Sequence, residues 1–197
     1  MEYIYKENKK DAPVFVLLHG TGGSETDLLP LAQVLAPDYN VLSVRGEVKE
    51  NGMNRFFRRL GEGNYDWEDL EVRSEALVNF IKDKSQEHDF SLEDVIFVGF
   101  SNGSNIAMHM MINHPETFKK AMLFAPLYPK NLEGNIDFSK AEIFLSLGKG
   151  DPIVPEEQSN HVIDIFEDGN ADVTSIWVNG HSLPSEAVEH GRAWLNR

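Results

Sequence analysis

Residues 94–111 read DVIFVGFSNGSNIAMHMM. The first half is a continuous apolar run of the kind that forms a strand buried on both faces, and the second half carries apolar residues at helical spacing. Between them the pentapeptide GFSNG, residues 99–103, fits the pattern G-x-S-x-G. A serine on a tight strand-to-helix turn exposes its hydroxyl above the sheet, so we expect Ser101 to be a nucleophile. The alternative is a glycine-bordered loop with an ordinary helix-capping serine.

The rest of the chain alternates between short β-rich runs and helical patterns. The runs predict strands at 13–18, 40–44, 95–98, 120–125, 142–147 and 173–178, with helices between them, one over roughly 156–167 and the last starting near Pro184. Strict alternation predicts parallel crossovers, and therefore a doubly wound, mostly parallel sheet of about six to seven strands with helices on both faces. No large insertion separates the fourth strand from the fifth, so we expect no separate cap domain.

Length and composition set the broad class. The chain has 197 residues and predicts a single domain over 1–197. A net charge of −14 disfavours nucleic acid and anionic membranes as partners, although it can simply reflect solubility. The absence of cysteine excludes disulfides and a cysteine nucleophile. The N-terminus does not resemble a signal peptide, and the apolar runs fall short of the roughly 20 residues of a membrane span. We therefore expect a cytoplasmic protein without stable membrane insertion.

A serine hydroxyl needs a base, and histidine is the usual one because its pKa lies near neutrality. Among seven histidines, His181 follows the sixth predicted strand directly, after a glycine that lets the chain turn. Ligands of such sheets bind beyond the carboxyl ends of the strands, so this position favours His181. His19 also ends a predicted strand but precedes the glycines of a loop.

The imidazole in turn needs a carboxylate to fix its tautomer and stabilise its cation. Asp151 follows the fifth predicted strand, and the order serine, aspartate, histidine is typical of this kind of sheet. The alternative role for Asp151 is a helix cap or Asx-turn before Pro152. The rival acid, Asp172, begins its strand and should lie at the wrong edge of the sheet.

Ester cleavage places negative charge on the former carbonyl oxygen, and backbone N–H groups can stabilise it. One should come from Asn102, the residue after the nucleophile. The other should come from the glycine-rich loop after the first predicted strand, where we expect the Thr21 amide first and the Gly22 amide second. That loop could also be a turn without a catalytic part.

Four motifs together resemble the phospholipase/carboxylesterase family of α/β-hydrolases, which includes bacterial carboxylesterases and acyl-protein thioesterases. They are LLHGTGG at 17–23, GFSNGS at 99–104, GKGDPIVP at 148–155 and GHSLP at 180–184. The resemblance covers nearly the whole chain. It implies an α/β-hydrolase fold and a serine esterase that works without a cofactor or metal, as a monomer or homodimer.

Two departures bear on the substrate. Thioesterase members typically show LHGLGD and GFSQGG, whereas this chain has HGTGG and an asparagine at position 102. The departures weaken the case for protein-thioester substrates. Residues 45–70 look like a bacterial carboxylesterase branch linked to hydroquinone stress, which implies a small or aromatic ester.

The segment 47–69 is long for a connection in a compact domain. We expect its apolar side chains to wall the acyl or alcohol pocket, unless the segment is a surface excursion whose aromatics pin it to the sheet edge. These side chains are Met53, Phe56, Phe57, Tyr65 and Trp67. Its arginines either attract an acidic substrate or pair with nearby carboxylates, and pairing is favoured. Leu127, Tyr128 and Ile153, near other carboxyl strand ends, are weaker candidates for substrate binding.

The leading function is a serine carboxylesterase that hydrolyses small or aromatic carboxylic esters through an acyl-enzyme intermediate. The alternatives are an acyl thioesterase, a lysophospholipase-like lipase on the same three residues, and a ligand-binding protein on a hydrolase scaffold. A metallohydrolase is disfavoured because no H-E-x-x-H-like motif is present.

Overall fold

The structure is a computed structural model that describes residues 1–134 and 136–197. Within those residues, seven strands form one sheet: β1 (Tyr3–Lys6), β2 (Val14–Leu18), β3 (Asn40–Val44), β8 (Val95–Phe100), β9 (Lys120–Phe124), β10 (Glu142–Lys149) and β11 (Asp172–Asn179). All six strands predicted from the sequence are present, with ends that differ by at most a few residues. The seventh, β1, was not predicted.

The spatial order of the sheet is β1-β3-β2-β8-β9-β10-β11. Every neighbouring pair is parallel except β1 and β3, which run antiparallel at one edge. Strands β2 and β8 lie side by side in the middle, and the order runs outward from them in both directions. The loops after β2, β8, β10 and β11 therefore meet at one edge of the sheet, where the carboxyl ends of parallel strands lie.

Five helices accompany the sheet in the described residues: α1 (Leu29–Leu35), α2 (Trp67–Glu87), α3 (Asn102–Asn113), α4 (Glu156–Asp168) and α5 (Ser185–Leu195). Strand β2 shows how they divide, because its successive side chains point to opposite faces. Its Val14, Val16 and Leu18 pack in a core with α2, α3 and α4. Phe15 and Leu17 pack in a second core with α1 and α5. Helices thus cover both faces, as the apolar strands predicted.

The predicted connection at 47–69 contains structure of its own. Strands β4 (Val48–Glu50) and β5 (Met53–Arg55) form one antiparallel hairpin, and β6 (Arg59–Gly61) and β7 (Asn64–Tyr65) form another. Neither hairpin joins the main sheet. Asn51 and Gly52 turn the first hairpin with positive φ angles of 50° and 82°, the signature of a tight asparagine-glycine turn. No separate cap domain is present in the residues described.

None of the helices in 1–134 and 136–197 combines the length and the apolar character that crossing a bilayer requires.

Candidate active site

Ser101 stands at the junction between β8 and α3. Its backbone has φ 51° and ψ −114°, and its N–H donates a 2.8 Å hydrogen bond to the carbonyl of Phe124 on β9. The two glycines of the motif are required by crowding. A Cβ at Gly99 would lie 2.6 Å from the Ser104 nitrogen, and one at Gly103 would overlap the Leu18 carbonyl. The chain can therefore make this sharp turn only with small residues on both sides of the serine.

Three side chains from distant parts of the sequence meet above the sheet. His181 Nε2 lies 2.9 Å from Ser101 Oγ, and His181 Nδ1 lies 2.7 Å from Asp151 Oδ2. Because an ionised carboxylate only accepts hydrogen bonds, Nδ1 carries the proton and Nε2 is left to accept from the serine hydroxyl. The structure thus brings together the three residues that the sequence singled out.

Asp151 is held rigidly behind the histidine. Its side chain is fully buried, and its second oxygen, Oδ1, accepts from the N–H groups of Ile153 and Val154 at 2.7 and 3.0 Å. The Asx-turn that was considered as an alternative role is therefore present as well. It leaves Oδ2 for His181, so the two roles are compatible.

The rival residues lie elsewhere. His19 is buried, donates from Nδ1 to the Gly20 carbonyl at 2.7 Å and accepts at Nε2 from the Gly46 amide at 3.0 Å. Burial lowers the pKa of His19, although its hydrogen bond to Gly20 works in the opposite direction. Asp172 bonds to Arg197 at the other end of β11. In the part of the chain that the structure describes, neither residue forms a hydrogen bond with Ser101.

The backbone amides of Thr21 and Asn102, the first choices as oxyanion donors, differ from that of Gly22, the second choice, in their hydrogen bonding. Among the described residues we find no acceptor for the N–H of Thr21 or of Asn102. The Gly22 N–H, in contrast, donates to the Asn54 carbonyl at 2.8 Å. The prediction of Gly22 as an oxyanion donor is therefore wrong, because a residue far along the chain already occupies its amide.

Residues 54–56 of the hairpin segment brace both halves of this arrangement. Asn54 Nδ2 donates to the Gly23 carbonyl at 2.6 Å, and Arg55 Nη1 donates to Thr21 Oγ1 at 2.7 Å. The Phe56 N–H donates to Asn102 Oδ1 at 2.7 Å. Three successive residues thus fix the loop that carries Thr21 and the first residue of α3 relative to each other.

A cavity of about 270 Å³ opens beside Ser101. Leu127 and Ile153 line it, as expected, and so does Tyr65 of the segment 47–69. Phe100 and Asn105 also line it, although the sequence did not point to them, whereas Trp67 and Tyr128 are not among its lining residues. The polar part of the lining comes from the hairpin segment and the rim: Arg55, Arg59, Glu62 and Gly63. Aromatic and aliphatic side chains therefore form one part of the cavity wall, and guanidinium groups form another.

Met53, Phe56 and Phe57, three of the apolar residues proposed from 47–69, do not line this cavity. Phe56 and Phe57 are buried in the core, where Phe56 packs against the His19 ring at 4.7 Å and Phe57 against Tyr65 at 4.9 Å. Met53 is exposed and packs over Gly22. The expectation was wrong for these three, because the two phenylalanines pin the segment to the sheet while Tyr65 faces the cavity.

The arginines of the segment mostly form ion pairs, the reading that the sequence favoured. Arg58 contacts Asp66 at 3.1 Å and Asp69 at 3.5 Å, and Arg59 contacts both carboxylate oxygens of Glu50 at 3.0 and 3.1 Å. Arg55 also lies within ion-pair distance of Glu50, but at 3.7 Å the two groups are too far apart for a hydrogen bond.

Comparison with known proteins places the chain in a family. The profile of the phospholipase/carboxylesterase family matches residues 1–196. MhqD of Bacillus subtilis (strain 168) is 40% identical over 195 residues, which are 98% of this chain and 97% of MhqD. The crystal structure of a Bacillus cereus carboxylesterase is 38% identical, covers 100% of this chain and 93% of its own, and superimposes with a TM-score of 0.96. The structure of YahD with malic acid is 30% identical, covers 99% of this chain and 98% of its own, and has a TM-score of 0.94. The chain therefore belongs to the phospholipase/carboxylesterase family and is a hydrolase with the α/β-hydrolase fold.

Proposed function

We propose that this protein is a serine carboxylesterase that hydrolyses small or aromatic carboxylic esters. The observation that carries the proposal is the continuous hydrogen-bond chain from Ser101 through His181 to Asp151. Such a chain converts a weakly nucleophilic hydroxyl into one that can attack a carbonyl carbon at neutral pH.

In the first half of the reaction, Ser101 Oγ attacks the ester carbonyl while His181 Nε2 takes the hydroxyl proton. The carbonyl oxygen becomes an oxyanion, which the amides of Thr21 and Asn102 stabilise. Asn102 begins α3, so the positive end of the helix dipole favours the same negative charge. His181 then returns the proton to the alcohol oxygen as the C–O bond breaks, which leaves an acyl-enzyme and the free alcohol.

In the second half, water replaces the alcohol. His181 takes a proton from the water as its oxygen attacks the acyl carbon, and the same two amides hold the second oxyanion. The bond to Ser101 Oγ breaks and His181 returns the proton to it, so that the acid leaves and the serine is restored. Asp151 stays ionised throughout and stabilises the imidazolium that forms twice.

The size and lining of the cavity support a preference for small substrates. At about 270 Å³ it lies at or below the lower end of ordinary ligand sites. Phe100 packs against the His181 ring at 5.4 Å, so an aromatic wall stands directly beside the reacting centre. YahD has been solved with malic acid, and a small carboxylic compound of that size suits such a cavity.

Replacing the nucleophile tests the proposal. In Ser101→Ala we expect kcat for a nitrophenyl acetate to fall by on the order of 10⁶, because the three residues act as a unit. The matched control is Ser139→Ala, an exposed serine far along the chain, which should hydrolyse the ester at the wild-type rate. Turnover that survives Ser101→Ala would exclude Ser101 as nucleophile.

Two further comparisons separate the alternatives. Rates for acyl chains of increasing length distinguish a carboxylesterase from a lipase, and matched thioesters distinguish it from a thioesterase. A wild-type protein that binds such compounds but turns over none of them would favour the ligand-binding alternative.

A further inference from the structure

Arg55 is a buried cation in the wall of the proposed substrate cavity. It ends β5, its side chain is only 4% exposed, and it lines the same cavity as Ser101 and His181. Arginine is among the residues that are almost never fully buried unless they are paired. Its position beside the reacting centre therefore needs an explanation.

The contacts of Arg55 use only part of its hydrogen-bonding capacity. Its Nε donates to the Phe57 carbonyl at 3.2 Å, and its Nη1 donates to Thr21 Oγ1 at 2.7 Å. A guanidinium has five N–H donors, and among the described residues we find no acceptor for Nη2. Fixing Thr21 explains one of these donors. It does not explain why the residue at this position is a cation with unused N–H donors.

The charge of Arg55 is also incompletely balanced. The Glu50 carboxylate lies 3.7 Å away, beyond hydrogen-bonding distance, and it already holds Arg59 with both oxygens. Glu62, a carboxylate that lines the cavity, is exposed, so water screens its charge. Burial lowers the pKa of Arg55 and the positive charge of Arg59 lowers it further, while the negative charge of Glu50 works in the opposite direction. An anion bound in the cavity would stabilise the guanidinium that the protein leaves only partly paired.

We infer that Arg55 anchors a carboxylate subsite, and that the preferred substrates are esters that carry a free carboxylate, such as half esters of short dicarboxylic acids. The inference rests on the proposed esterase function and names its substrate class. A planar guanidinium suits a carboxylate because two parallel N–H donors match its two oxygens. Arg55 is hydrogen-bonded to Thr21, whose amide is the proposed oxyanion donor. The bound carboxylate therefore lies close to the reacting carbonyl, and a short chain of carbons joins the two.

Monomethyl and dimethyl succinate form a matched pair of substrates, because they differ in one methyl group and one negative charge. We expect wild-type kcat/KM, measured by methanol release, to be at least about tenfold higher for the monomethyl ester. In Arg55→Gln, which removes the charge, this ratio should fall close to one. The ratio is unaffected by a general loss of activity from a disturbed Thr21 loop, since both esters suffer that loss equally.

The control is Arg58→Gln, which removes a neighbouring arginine that is exposed and paired with Asp66 and Asp69. Its substrate ratio should equal that of the wild type. A wild-type ratio of one or less, or a ratio that is unchanged in Arg55→Gln, would overturn the carboxylate subsite.

Binding separates this inference from the esterase proposal. Calorimetry on Ser101→Ala should show monomethyl succinate binding at least about tenfold more tightly than dimethyl succinate, whether or not the wild type turns the esters over. Equal affinities would overturn the subsite and leave the serine mechanism standing. If monomethyl succinate binds more tightly as expected but the wild-type protein hydrolyses neither ester, the carboxylate subsite stands and the esterase proposal is overturned.

Discussion

At the residue scale, Ser101 combines an unfavourable backbone with the proposed chemistry. A φ of 51° with ψ of −114° is a conformation that side chains with a Cβ rarely adopt, and such residues cost of order 1–3 kcal/mol each. The strain is held by the hydrogen bond from the Ser101 N–H to Phe124 and by the crowding around Gly99 and Gly103. Interactions elsewhere in the fold thus offset the cost of the strained turn that presents the hydroxyl.

That strain predicts a difference in stability between two variants that both lack the serine hydroxyl. Ser101→Gly should be more stable than Ser101→Ala by about 1 kcal/mol in its free energy of unfolding, because glycine adopts positive φ freely and this outweighs its larger unfolded-state entropy. Both variants should lack esterase activity. Urea denaturation followed by circular dichroism measures the difference, and an alanine variant as stable as the glycine variant would show that the turn is not strained.

The site residues that the sequence identified share a simple property: each directly follows a predicted strand. Ser101, Asp151 and His181 could be placed together because parallel strands end at one edge. Gly22 could not be judged in this way, because what occupies its amide is Asn54, which comes from another element. The sequence could not single out Arg55, because pairing with nearby carboxylates accounted for all the arginines of the segment. Only the structure distinguishes the contacts of Arg55 from those of Arg58 and Arg59.

At the element scale, the β4–β7 segment is the part that sequence periodicity described least well. Its strands are two or three residues long and join no central sheet, so they carry too few positions to show alternation. Asn51-Gly52 was the available signal, since this dipeptide favours a tight hairpin. The edge strand β1 was missed for a related reason: its four residues are half-buried and exposed rather than a buried apolar run.

The segment's brace on Asn102 gives a prediction for the element. Asn102→Ala keeps the backbone amide but leaves the buried Phe56 N–H without its acceptor. We expect the free energy of unfolding to fall by about 1–3 kcal/mol and kcat to fall more than KM changes, because the Asn102 amide, the proposed oxyanion donor, is displaced while the other residues that line the cavity are kept.

The matched control for this brace is Asn113→Ala, an exposed asparagine at the other end of the same helix. It should change kcat little. If kcat for Asn102→Ala equals the wild-type value, the segment does not position the oxyanion donor.

At the scale of the whole molecule, buried histidines couple folding to pH. Burial is the largest cause that lowers the pKa of both His19 and His109. His109 sits on α3 with Tyr128 Oη at 2.8 Å and Glu71 Oε2 at 2.9 Å. In the unfolded chain both imidazoles regain a pKa near 6.5, so below that pH the unfolded state binds more protons than the native state.

The sign of the effect follows from this difference in proton binding. The free energy of unfolding should be at its full value above about pH 6.5 and should decrease as the pH falls below it. Urea titrations at about pH 7.5 and about pH 5.5 measure the decrease, which should be smaller in His109→Gln and unchanged in the control His190→Gln, an exposed histidine on α5. Equal stability of the wild type at the two pH values would contradict the coupling.

Covalent labelling of the proposed nucleophile tests directly whether Ser101, His181 and Asp151 act together. A fluorophosphonate reacts with a serine that an adjacent base has activated, and peptide mapping by mass spectrometry then locates the adduct. We predict one adduct per chain on Ser101, loss of esterase activity in proportion to labelling, and no labelling in Ser101→Ala or His181→Ala. Complete inactivation with Ser101 unmodified, or equal labelling of the Ser101→Ala variant, would contradict the proposal that these three side chains form the catalytic unit.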